Sequence, residues 1–172
     1  MASTGALFCL TGENNAGIGA TAWTNPGNIS SDNATDATCN AAASSQYLVG
    51  RNIAAAIPTG STINGVIVRV EASEHTAGTE SLNAQLQNDA GALVGSSKAA
   101  TISGTAKAVY TYSTSTDTWG ASLTETIVEN VNFGVRLWFT TAHDIRIDYV
   151  TIEVFYTEPV PAAKRLPALG VG

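Results

Sequence analysis

The chain offers few side chains of the kind that make or break bonds. Its two histidines, His75 and His143, both fall in stretches that read as loops. A Ser-His-Asp arrangement needs one of them buried beside an activated serine. No Gly-x-Ser-x-Gly elbow is present, and no serine stands at a sharp strand-to-helix turn. His75, between Glu74 and Thr76, reads as a solvated loop histidine. Asp32, Asn33 and Asp36 form one acidic loop, and Asp144 with Asp148 a second. Calcium takes roughly six to eight oxygens, and its local sign is D-x-D spacing with a glycine. Neither loop has it, so both read as polar loops, with a structural cation joining them as the alternative. Asp117 and Asp144 can be nominated for glycoside hydrolysis, which needs two convergent carboxyls, but nothing around them singles them out. Trp23, Trp119 and Trp138 would stack on sugar rings if exposed together, yet large aromatics in a β-rich chain more often fill the core or its rim. Cys9 and Cys39 cannot make a disulfide framework, and either one bridge or two buried thiols fits. No phosphate loop, metal-spaced Cys/His cluster or basic stripe appears. The expectation is a protein that is not an enzyme, with no catalytic residues, no cofactor and no metal.

Composition points the same way. Charged residues are 13% of the 172, about half the usual share. Alanine (27), threonine (22) and serine (14) take their place, a mixture that favours strands over helices. Fourteen acids against eight bases give a net charge of −6, which leaves no basic footprint for nucleic acid. The longest apolar runs, such as Ile53–Ile57, fall far short of the ~20 residues that cross a bilayer. No basic-then-apolar leader precedes the first glycine, so no secretory signal is expected, and the sequons at Asn28 and Asn33 carry no weight.

The elements follow from period-2 alternation. Residues 1–45 read as loop, with a short strand around Phe8 and a turn at Asn25-Pro26-Gly27. Strands are expected from Tyr47, over 63–72 with Val66, Val68, Val70 and Ala72 inward, over 82–87, over 92–94, over 106–113, over 133–139 and over 144–156. The last carries apolar residues on both faces, which requires cover on both sides or a bulge near Asp148. Ser122 and Glu125 have capping-box spacing and predict a helix over 122–130. The pattern is all-β, an antiparallel β-sandwich of jelly-roll-like order with one short helix. Its expected parts are an N-terminal segment 1–20 that forms contacts, a sandwich 21–157 and a Pro-rich extended C-terminal arm 158–172. Glu158-Pro-Val-Pro161 ends the last strand, since proline cannot continue the ladder.

Some of these residues resemble a β-sandwich module of tailed-bacteriophage virion proteins. The similar stretches are Trp23-x-Asn25-Pro26-x-Asn28, the acidic loop 32–38, Ile57-Pro-x-Gly60-x-x-Ile63-x-Gly65-Val66, Asp117-x-Trp119-Gly120-x-x-Leu123, Asn132-Phe133-Gly134-Val135 and Ile147-Asp148-Tyr149-Val150-x-Ile152-x-Val154-x-Tyr156. The resemblance covers about residues 21–157, and its motifs are turns and core strands. It implies a structural protein of a virion, made in the host cytoplasm and seated on the capsid surface. There it would be a decoration or cement protein that binds the major capsid protein and stabilises the shell, as a homotrimer, with no nucleic acid or membrane partner. The alternative is a tail- or head-fibre adhesion module that binds host-surface glycan. On composition alone, the expected partner contacts lie in the arm: Lys164, Arg165, Leu166, Pro167, Leu169 and Val171.

Overall fold

The clean alternation of Val66, Val68, Val70 and Ala72 becomes the spine of one sheet. In the computed structural model, which describes residues 1–160, all four are fully buried. They lie on β6 (Thr62–Glu74), which pairs along its length with β11 (His143–Thr157) and on its other side with β9 (Ala108–Tyr112). The outer edge of β11 is shared end to end by β4 (Ala37–Ala41), β2 (Leu7–Phe8) and β1 (Ala2–Ser3). The second sheet runs β3 (Thr11–Asn15), β5 (Tyr47–Arg51), β10 (Gly134–Trp138), β7 (Thr79–Gln87), β8 (Leu93–Ser103). Every pair of strands is antiparallel. The two sheets face each other across one apolar core. One supplies Val68, Val70, Ile145 and Ile152; the other supplies Leu48, Leu82, Leu86, Val135 and Leu137. The fold is the all-β antiparallel sandwich that the pattern predicts.

The two-faced pattern of β11 resolves into a bulge. Pairing with β6 steps from Ile147 opposite Ala72 to Tyr149 opposite Glu71, so Asp148 has no partner residue. The extra residue switches which parity points inward. Ile145 and Ile147 are buried before it, and Val150, Ile152 and Val154 after it.

Three local expectations are corrected. The first 45 residues supply β1 to β4 and a 3₁₀ turn at Pro26–Ile29 rather than loop alone, so residues 2–15 are built into both sheets. The helix α1 is only Glu125–Val128. Its cap is Thr124, whose hydroxyl accepts the Ile127 N–H at 3.3 Å, and not Ser122. Glu125 is thereby free to accept the Gly60 N–H at 3.0 Å. The hairpin strand expected over 92–94 continues to Ser103. Cys9 and Cys39 are free, buried thiols. No helix among the described residues is long and apolar enough to cross a membrane. The arm and its expected contacts Lys164, Arg165, Leu166, Pro167, Leu169 and Val171 lie outside the described residues.

Val68 sits between Ile152 on β11 and Tyr112 on β9, with no solvent contact. Val68→Asp places an unpaired charge there. The expected outcome is loss of the cooperative thermal transition; a melting temperature near that of the parent would show that this face of β6 is not core.

Candidate functional site

The first acidic loop meets Asp148, which is a residue of strand β11 and not of a loop, while Asp144 lies apart from it beside Asn40 and His75. The bulge sets the Asp148 side chain beside Glu71 on the outward face of the sheet, where the loop at Asn33 and Ala34 covers it and leaves it only 2% exposed. Its carboxylate accepts the backbone N–H groups of Ala34 at 3.1 Å and Asn33 at 3.5 Å, from the first loop. Lys107, from the turn before β9, places Nζ 3.0 Å from Asp148 Oδ2 and 2.6 Å from Asp36 Oδ1. Glu71, on the outward face of β6, and Asp32 complete the group. An oxygen from each of Asp32, Glu71 and Asp148 lies within 4.8 Å of the others. Oxygens so gathered are hard-cation chemistry, yet the Lys107 ammonium already stands against them and acts as counter-ion. The first acidic loop and Asp148 are therefore brought together, joined by a side-chain cation, and Asp144 is not part of the group. Glu71 and Lys107 were missed. The available signal was the isolation of Lys107 in a stretch of small residues, since a lone cation in an acidic chain tends to have a partner.

Electrostatics here pull in opposite directions. Burial, then the hydrogen bond and charge of Asp148 and the charge of Asp32, hold Glu71 above its ordinary value of 4.5. The folded state keeps that proton more tightly than the unfolded chain does. Its contribution to stability is full below 4.5 and is lost as the pH rises through the raised folded value. Burial works against the Lys107 charge, but hydrogen bonds to Asp36 and Asp148 and their charges outweigh it, and Lys107 is held above 10.5. Its contribution is full below 10.5 and is lost as the pH climbs through the raised value.

A second polar cluster sits at the C-terminal end of β6, three residues beyond Glu71. His143 opens β11, and its ring lies between two buried carboxylates. Nδ1 is 3.2 Å from Glu74 Oε2, and Nε2 is 3.2 Å from Glu80 Oε2. Glu80 also accepts the Ser81 N–H at 2.7 Å and the Thr141 hydroxyl. His143 borders a shallow, open depression of about 320 Å³ with Asn40, Thr76 and Asp144 on its wall. No serine or cysteine lines it. His75 is exposed, and its ring is 4.0 Å from Asp144. The nominated acids do not converge: Asp117 binds Lys98 at 2.6 Å, whereas Asp144 takes the Asn40 amide at 3.3 Å.

The tryptophans divide. Trp23 and Trp119 are core residues, their indole N–H groups donated to the Gln46 and Val66 carbonyls at 2.9 and 2.8 Å. Trp138 is half-buried on the outer face of the second sheet, edge-on to Tyr47 at 5.3 Å. Arg136 lies over the Tyr47 ring, 5.1 Å from its centre.

No protein-family model matches the chain, and no curated protein matches it. Among solved structures it is similar to a Clostridium thermocellum chain holding the CBM22-1 and GH10 modules of endo-1,4-β-D-xylanase 10B, complexed with xylohexaose. The TM-score is 0.45 at 14% identity, over 94% of this chain and 29% of that one. At that level the likeness carries no argument about what this chain binds.

Lys107→Met keeps the side-chain length and removes the charge, leaving Asp36, Asp148, Glu71 and Asp32 without their cation. The side chain of Lys107 is 26% exposed, so we expect a loss of about 1–3 kcal/mol at pH 7 rather than the larger cost of a fully buried pair. Denaturant unfolding at pH 7 and again near 4.5 checks it: the deficit shrinks at the lower pH, where Glu71, held above 4.5, takes up its proton. An equal deficit at both would show that Lys107 acts through packing.

Proposed function

We propose that this protein is a non-enzymatic structural protein of a tailed-phage virion, a decoration protein that sits on the outer shell, binds the major capsid protein and stabilises it. Neither nucleic acid nor membrane enters this reading. The observation that carries it is the chemical content of the exposed strands. β8 and β9 present Ser97, Ala99, Thr101, Ser103, Val109 and Thr111 to solvent and no exposed charged side chain. The charged groups are instead spent on internal ties, as at Lys107 and His143. Wide strand surfaces of small uncharged residues suit broad, close contact without electrostatic steering. A protein that binds only the assembled shell stabilises it by mass action.

The arm supplies the anchor in this proposal. Deleting residues 161–172 is expected to leave a folded sandwich that no longer occupies purified shells lacking the protein. Occupancy by the truncated chain equal to the parent's would move the anchor to the sandwich body. A full-length chain that never binds such shells would defeat the decoration role.

Trp138 supports a second reading, an adhesion module for host-surface glycan. It is the one tryptophan outside the core, beside Tyr47, Arg136 and the Asn83 amide, which donates to the Trp138 carbonyl at 3.3 Å. This reading expects retention on a glycan array that Trp138→Ala abolishes. A parent chain that binds no glycan on the array removes it.

A further inference from the structure

The sandwich covers its sheet edges unequally. The outer edge of β11 is taken by β1, β2 and β4. Among the described residues β3 ends its sheet without a strand on its outer edge, but the segment from Trp23 to Pro26 packs against the side of it that carries Gly12 and Asn14. Asn14 exchanges two 2.8 Å hydrogen bonds with the Trp23 backbone, and a Cβ on Gly12 would stand 2.0 Å from the Pro26 carbonyl oxygen. On the opposite side of the molecule β8 and β9 end their sheets, and among the described residues no strand pairs with the outer edge of either.

The backbone of β8 shows which groups that edge leaves free. Just past the strand, the Gly104 N–H points toward β7 and donates to the Gly78 carbonyl at 3.2 Å. The Ser103 N–H points the other way and donates to the Tyr110 hydroxyl at 3.3 Å. Alternation along the strand then turns the N–H and C=O of Ala99 and Thr101 away from β7. Both side chains are exposed. Sheet edges are ordinarily guarded by proline, by an outward charge or by a bulge. Between residues 98 and 103 there is no proline, and the ladder with β7 is regular from Lys98 to Ser103. The single charge, Lys98, is drawn away to Asp117 at 2.6 Å and lies 5.2 Å from the Trp119 ring centre. The irregular part of the strand, residues 95–97, is covered separately, the Ser96 N–H donating to the Trp119 carbonyl at 2.7 Å.

We propose that the β8 edge pairs with β8 of a second copy of this chain, antiparallel about a twofold axis, making one continuous sheet from the two five-stranded ones. Charge selects this occupant. A twofold axis brings an edge against its own charges, and like charges opposite each other across a ladder repel. An edge of Ala99 and Thr101 meets itself without that cost. With the axis at Ala100, Ala99 faces Thr101 of the partner subunit and the reverse, and each such pair exchanges both its hydrogen bonds, about four in all. The small side chains leave nothing to hold the backbones apart. This contact is isologous and closes at two, so a trimer would have to use some other surface. The inference does not rest on the shell-binding reading, since the edge exists in the isolated chain.

Analytical ultracentrifugation of the full chain over a concentration series tests it, with Ala99→Pro and Thr101→Lys alongside. Proline at 99 removes an N–H aimed at the partner and none donated to β7. Lysine at 101 sets two like charges beside the axis. The parent is expected to sediment as a dimer, and each variant to weaken dimerisation about tenfold or more with unchanged circular dichroism and melting. If Ala99→Pro does not fold, Thr101→Lys decides alone, because its side chain is already exposed. A parent that stays monomeric, a parent that sediments as a trimer, or a dimer that the folded variants do not weaken would each overturn the proposal.

Discussion

A fifteen-residue strand with apolar residues on both faces can bury both sets only if its register changes partway. β11 does this at Asp148. Without the extra residue, either the pair Ile145 and Ile147 or the trio Val150, Ile152 and Val154 would turn to solvent. At about 1.5–3 kcal/mol for each side chain, that loss is comparable with the whole net stability of a domain this size. The bulge has its own cost, because it leaves the Asp148 carboxylate buried beneath the loop at Asn33 and Ala34. Two backbone N–H groups from the loop at Asn33 and Ala34, and the ammonium of Lys107, offset that cost. One phase change in one strand thus determines where the acidic loop lies and why the turn before β9 ends in a lysine.

That constraint shapes what the surface has left to offer. The chain carries few charges, and those best placed for chemistry are committed inside it. Lys107 answers Asp36 and Asp148, while His143 stands between Glu74 and Glu80. Asp117 shows the same habit. The hydrogen bond from Lys98, against a smaller opposing effect of burial, holds its carboxyl below the ordinary 3.8. Its stabilising effect is present above that value and fades as the pH falls through the lowered one. What faces outward on β8 and β9 is small and neutral.

The sequence was most legible where one apolar face repeats without interruption. β6, β10 and β11 follow from Val66–Ala72, Val135–Leu137 and Val150–Val154, and the apolar residues on both faces of β11 left cover on both sides or a bulge, of which the structure has the bulge. It was least legible where the strand residues are small or polar. Thr11–Asn15 is a strand because β5 and the Trp23 segment flank it, not because of any pattern of its own. Leu93–Ser103 is spelled mostly in Ser, Ala, Thr and Gly, which read as turn and strand alike. The helix start moved by two residues because Glu125 bonds Gly60 instead of closing a capping box with Ser122. At the polar clusters the acids were visible one loop at a time. Their convergence, with Glu71 and Lys107, depends on pairing between strands far apart in the chain, which spacing cannot express.

The proposed role is addressed most directly by a cryo-electron microscopy map of intact virions made from the genome that carries this sequence. The account predicts that the β-sandwich is found on the outside of the capsid, in contact with the major capsid protein. Virions whose capsid exterior shows no such density, although the protein is expressed in the same cells, would contradict it.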